Sequence, residues 1–327
     1  MILRRFRHIA GLTIFFALVG VGGWILAHPY AIPDWLRLRG YTPPRVVNDL
    51  AGDTTMTDTA RHLFFINRPQ VENKTTFAKA CPQASEQTIV IGCYIGGQRG
   101  IHILLVEDDR LAGIEQVTAA HEMLHAAYER LSSSERARVD AMLQDYADNG
   151  LKDERIRGVL KGYETSEPGQ QHNEMHSIFG TEVTQLPSEL ESYYARYFID
   201  RGRVAGYAAK YQAAFTSRQS TVRNYDDQLA KLGSQIKQNT ATLEQQDRQI
   251  GNRRQELESY RASGSIEAYN AGVEPFNGLI ARYNSLLGET RQLIDRYNAI
   301  VAQRNEIASQ TEELQQAIST QSLPSQQ

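Results

Sequence analysis

The sequence predicts an α+β fold, a small sheet packed with helices, followed by a long antiparallel α-helical coiled-coil hairpin. Three observations predict it. Two β-branched runs, Ile89-Val90-Ile91 and Ile101 to Val106, are joined through a glycine-rich connection. A helical stretch free of Gly and Pro, Ile114 to Leu131, follows them, and heptads fill the last third of the chain. A length of 327 residues permits two or three domains, and a formal charge of −3 argues against a nucleic-acid partner.

The expected division is a basic segment at 1–8, a transmembrane helix at 9–27, a linker at 28–60, the α+β domain at 61–205 and the hairpin at 206–327. Ile9 to Ala27 carries no charge, is long enough to cross a bilayer, and follows Arg4, Arg5 and Arg7. With positive charge held inside, the expectation is a single-pass cell-membrane protein whose N-terminus is cytoplasmic and whose bulk is extracytoplasmic. The competing reading is a cleaved signal peptide, whose apolar region is usually shorter.

Residues 28–60 contain Pro29, Pro33, Pro43 and Pro44 with Gly40 and Gly52, which reads as a linker. His62 to Ile66 is a short apolar run ending before Arg68-Pro69, read as a first strand. Cys81 and Cys93 are the two cysteines. They are read as a disulfide or as a pair of buried thiols. Gly96-Gly97-Gln98-Arg99-Gly100 then makes the hairpin connection between the two β-branched runs.

His121-Glu122-Met123-Leu124-His125 lies within the helical stretch. Histidines four residues apart project from one helix face and can hold one metal ion, with Glu122 at its edge. Neutral imidazoles suit zinc, and a carboxylate beside a zinc-held water can carry its proton. Ile114, Val117, Leu124, Tyr128 and Leu131 share the stripe of His121, so the metal face is the buried face. A second helix is expected at 132–149, with serines 132–134 as N-caps, and a third at about 153–163.

A catalytic zinc needs a third ligand from elsewhere, and His172-Asn173-Glu174-Met175-His176, with Glu182 beyond it, is the densest nearby supply. The first motif, followed about fifty residues later by Asn173-Glu174 opening a helix, resembles the gluzincin class of zinc metallopeptidases over roughly residues 60 to 205. The resemblance implies a zincin-like catalytic domain with His121 and His125 as zinc (Zn2+) ligands, Glu122 as general base and Glu174 as third ligand. His176 and Glu182 compete for that last role. Glu174 and His176, two residues apart, point to different sides of a helix. The resemblance also implies an edge strand that pairs with extended substrate, a place given to Ile101 to Val106. Leu186-Pro187-Ser188 then opens a helix through Ile199.

From about Gly206 the pattern is heptads: Val222, Leu229, Ile236, Leu243, Ile250 and Leu257 on one arm, and Leu279, Leu286, Leu293, Ile300, Ile307 and Leu314 on the other. Breaks are expected at Ala262-Ser263-Gly264-Ser265 and at Gly272 to Pro275, giving arms of about 40 residues and a hairpin roughly 50 to 60 Å long. Tyr269-Asn270, Tyr283-Asn284 and Tyr297-Asn298 recur every two heptads. They are read as seam packing or as a ligand platform.

The leading functional reading is a zinc metalloprotease acting on protein or peptide substrates. The alternative is a cell-envelope coiled-coil interaction protein with a structural or vestigial zinc site. The arms would serve an envelope partner or self-association.

Overall fold

The computed structural model describes Gly23 and residues 29–82, 91–166 and 168–319. The chain divides into two compact units, one of the described residues up to Gln212 together with those from Gln316, the other Ala213–Gln315. The division falls a little beyond residue 205, where the heptads were expected to begin.

The first unit opens with α1 (Ala31–Leu38), α2 (Arg45–Asp53) and α3 (Asp58–Ile66). Residues 28–60 are therefore not a linker. Pro43 and Pro44 stand before α2, where a missing N–H costs nothing, and Val47, Leu50, Ala51 and Met56 are in the core. The run His62 to Ile66 is helical, not a strand. Thr57 caps α3 by accepting from the Ala60 N–H, and Ala60, Leu63 and Phe64 repeat on one buried face. Five apolar residues carry no period of their own, and the cap decides between helix and strand.

The single-pass membrane localisation is corrected. Among the described residues no helix is long and apolar enough to cross a membrane. The two longest helices carry charged side chains along their lengths. The run Ile9–Ala27, apart from Gly23, lies outside the described residues.

Three strands form the sheet: β1 (Gln70–Glu72), β2 (Gly92–Ile95) and β3 (Gly100–Leu104), in the order β1-β3-β2. β2 and β3 are the expected antiparallel hairpin, with Cys93 opposite His102, while β1 runs parallel to β3. Ile89 and Val90 lie outside the described residues. Between β1 and β2 stands α4 (Lys74–Ala80), capped by Asn73. Alternation along β3 divides its side chains: Ile101 and Ile103 enter the main core, and Leu104 joins a small cluster with Phe77 and Cys81. Cys81 and Cys93 form a disulfide that ties the end of α4 to β2.

The core is built around α5 (Ile114–Glu129), which is buried on nearly every side. Ala119, Ala120, Ala126 and Ala127 are at most 2% exposed and let neighbouring elements approach closely. Gly113 starts α5 in the left-handed conformation, φ 104°. At the other end Arg130 grips Asp34 of α1 through two bonds of 2.7 and 2.6 Å, and His62 meets the same carboxylate at 2.9 Å.

After α5 come α6 (Ser133–Asp145), begun by a Ser132–Glu135 capping box, a π-helical turn (Tyr146–Gly150), α7 (Glu154–Ser166), α8 (Gln171–Glu182) and α9 (Ser188–Tyr194); α8 packs against α5, and α6 and α7 pack on α8. The expected helix through Ile199 stops early. Thr57 N–H donates to Tyr197 O and Ile199 N–H to Thr55 O, so the chain closes back on the start of α3.

Two long helices complete the chain, α10 (Arg201–Ala262, 62 residues) and α11 (Ile266–Ile318, 53 residues). In the second unit they pair antiparallel: Asp226 meets Arg304 at 2.8 Å, and Gly233 faces Tyr297. Seven residues forward on one arm are matched by seven back on the other. The turn is Ser263 to Ser265, with Gly264 at φ 75°. The second break does not occur, because Pro275 is accommodated inside α11. The arms are accordingly longer than expected; 53 residues span roughly 80 Å at 1.5 Å each.

Gly180 of α8 sits against α5. A Cβ there would stand 2.4 Å from Leu124 Cδ1 and 2.8 Å from Tyr194 Cε1. Gly180→Ala is expected to cost about 1–3 kcal/mol through overpacking, read as a lowered Tm in thermal denaturation.

Candidate metal centre

His121, Glu122 and His125 project from the middle of α5, and Glu174 from the first turn of α8. The four-residue spacing places the two imidazoles side by side, ring centroids 4.7 Å apart and edge to face. Glu174 spans them. Its Oε2 lies 3.7 Å from His121 Nε2 and its Oε1 3.5 Å from His125 Nε2. One donor atom from each of the three residues fits within 4.8 Å of the others, a grouping able to hold a metal ion.

The competing ligands are elsewhere. His176 is fully buried on the far side of α8, its Nε2 2.8 Å from the Tyr193 hydroxyl, among Tyr128, Tyr194 and Tyr197. Burial there drives its pKa down to about 3, and the neighbouring imidazoles His125 and His121 add to the shift, so it is neutral. Glu182 is taken by Arg155 at 2.9 Å and by Gln212 at 2.7 Å. His172 turns toward Asp140, 4.0 Å away.

Sequence reasoning gave no role to the residues that orient the ligands. Asn173 Oδ1 lies 3.0 Å from His125 Nδ1, and the Ser177 hydroxyl stands 3.2 Å from the same nitrogen. Asn173 Nδ2 donates to Gln170, which turns the amide oxygen toward the ring. His125 therefore carries its proton on Nδ1 and presents the Nε2 lone pair toward Glu174. Adjacency of Asn173 to Glu174 was the available signal, since the first turn of one helix carries both.

Glu122 is 6% exposed and packs under β2. The Tyr94 N–H donates to it, and Gly92 lies so close that a Cβ would stand 2.7 Å from Glu122 Oε1 and 2.3 Å from a Thr118 methyl. Burial pushes the Glu122 carboxyl up to about 7, a shift that Glu174 reinforces and His125 and the Tyr94 amide oppose. Burial also pushes Glu174 up, but His125, His121 and a hydrogen bond with Tyr163 outweigh it, and Glu174 stays below the usual carboxylate value.

These groups open on a cleft of about 800 Å3. β2 forms one wall, Tyr163, Gln170 and Asn173 another, and the Cys81–Cys93 pair lies at the rim. The strand expected to border the cleft, Ile101 to Val106, is instead the centre of the sheet, paired on both sides. Of the two edge strands among the described residues, β1 and β2, β2 borders the cleft. Because Cys93 pairs with His102, the backbone groups of Gly92 and Tyr94 face away from β3.

No family model matches the chain, and no curated protein and no solved structure matches it.

Glu174→Ala is expected to weaken zinc binding at least a hundredfold and Asn173→Ala roughly tenfold to a hundredfold, with His176→Asn keeping full zinc stoichiometry while lowering Tm. Competition titration with a chromogenic chelator checks all three.

Proposed function

We propose that this chain is a zinc-dependent metallopeptidase of the gluzincin type, an endopeptidase acting on protein or peptide substrates from a zincin-like domain. The observation that carries the reading is the convergence of His121, His125 and Glu174 in an open cleft with Glu122 beside them. The residues fit the ion. Two imidazoles and a carboxylate are a donor set that suits catalytic zinc, and Glu174 Oε2 is buried with no hydrogen-bond partner, which leaves its lone pairs for a cation.

When bound, zinc supplies Lewis acidity, polarising a carbonyl oxygen and making a water that it holds more acidic. Glu122 supplies the proton carrier. Held beside the imidazoles by the Tyr94 N–H, its carboxylate is placed to take a proton from water and pass it to the departing amine. The Tyr94 N–H and the close approach of Gly92 hold that carboxylate on one side of the site. Asn173 keeps His125 in the tautomer that leaves Nε2 free. The outer edge of β2, where Glu122 takes the Tyr94 N–H while the Tyr94 carbonyl and the Gly92 backbone groups point away from β3, supports binding of an extended peptide through those remaining backbone groups, with the cleft side chains giving preference.

The long helical pair favours a second reading, an interaction protein whose zinc site is structural or vestigial. Against it, the donor group among the described residues holds three ligands, not the closed four of a structural site, and faces the cleft.

Glu122→Gln is expected to retain one zinc per chain while hydrolysis of a mixed peptide library falls about 10²- to 10⁴-fold, measured by elemental analysis and mass spectrometry of products. Unchanged cleavage would overturn the mechanism. A wild-type protein that binds zinc tightly and cleaves nothing would favour the interaction reading.

A further inference from the structure

The Cys81–Cys93 disulfide sits where it can act on the proposed chemistry. Cys93 is in the middle of β2, and its two neighbours are the residues that touch Glu122: Gly92 by close approach and Tyr94 by its N–H. Side chains alternate along a strand, so Cys93 projects to the face opposite Gly92 and Tyr94. Cys93 packs with the small cluster of Phe77, Cys81 and Leu104, whereas Tyr94 packs against the main core.

β2 is held in three ways. On one edge it pairs with β3, on one face it meets α5, and on the other it is covalently tied to the end of α4. Among the described residues it pairs with no strand on its outer edge. β3, in contrast, is paired on both sides and sends Ile101 and Ile103 into the main core. The anchor at the α4 end is firm, since Phe77 is fully buried and Asn73 caps the helix. Both cysteines line the same cleft as the metal ligands.

We propose that the Cys81–Cys93 disulfide is a redox-operated latch that holds the edge strand β2 in register against Glu122 and the substrate path. This rests on the function proposed above. Closed, the latch fixes the wall that positions Glu122 and receives substrate. Opening takes two electrons and two protons: the S–S bond breaks, each sulfur becomes a thiol, and a dithiol or phosphine reductant is oxidised. Glutathione disulfide reverses the step by taking the electrons back and being reduced to two glutathione thiols. The zinc ligands lie on α5 and α8, whereas the disulfide joins the end of α4 to β2. Opening therefore alters turnover and leaves the metal in place.

The test uses the full-length zinc-loaded protein, with a phosphine as reductant because thiols themselves bind zinc. Reduction is expected to lower kcat/KM on the peptide library about tenfold to a hundredfold, the effect of misplacing a reacting group by about an ångström. Bound zinc and the far-UV circular dichroism stay constant, and reoxidation restores the activity. The Cys81→Ser/Cys93→Ser double variant is expected to sit at the reduced level and ignore the redox state. Hydrogen exchange at the Tyr94 and Ile95 amides should quicken on reduction while exchange in β3 and α5 does not. Unchanged kinetics overturn the latch, as does release of zinc or loss of helicity, which would make the bond a general support. If neither form cleaves any peptide, the proposed function fails, and the exchange at β2 still decides whether the disulfide controls that strand.

Discussion

The arrangement depends on how closely α8 lies against α5. Two imidazoles on one helix are a half-site, and the other half is a carboxylate from a segment nearly fifty residues away. Alanines on α5 and Gly180 on α8, with no side chain to spare against Leu124, bring the two backbones together. Glu174 then arrives within 4 Å of both Nε2 atoms. Helices held further apart would leave the buried Glu174 carboxylate without the two imidazoles that face it, an unfavourable state for the acid.

The polar groups inside this unit fall into two kinds. Some are satisfied by protein alone: Glu182 by Arg155 and Gln212, and Arg201 by the carbonyl oxygens at the end of α8 and by Glu191. Others are satisfied only in part. Glu174 Oε2 has no hydrogen-bond partner, and Glu122 is held by one backbone amide. Buried atoms without a partner also occur away from the candidate site, at Asn67 Oδ1, Arg130 Nε and Arg155 Nη2, so the contrast bears on the two glutamates of α8 alone. That contrast separates Glu174 from Glu182, though both are glutamates of the same helix.

What could be read from the sequence follows the range of the interactions involved. The helix carrying His121, Glu122 and His125 was legible because its spacing is local, and so were the capping box at Ser132 and the antiparallel arms. Glu174 came from a resemblance, since nothing in the spacing ranks it above His176, and the decision lies in which side of α8 faces α5. Strand order was not legible: β1 pairs with β3 across an intervening helix and hairpin, which moves the free edge from β3 to β2. The prolines of residues 29–44 were read as a linker because Pro signals the start of a helix as well as a loop. Pro275 erred the same way, near the beginning of a helix whose packing on its partner arm outweighs one lost hydrogen bond.

Asp34 is the buried residue of α1 and the counter-ion of Arg130, the residue that ends α5. Arg130 also lies 4.3 Å over the ring of Tyr30. Arg130 is half-buried and Asp34 also has His62, so losing one member of the pair costs less than the ~3–5 kcal/mol of a fully buried one. Truncation that removes Tyr30 and α1 would take both of these contacts away from the end of α5. Any trimmed version that begins at the first strand would expose the far end of the histidine-bearing helix.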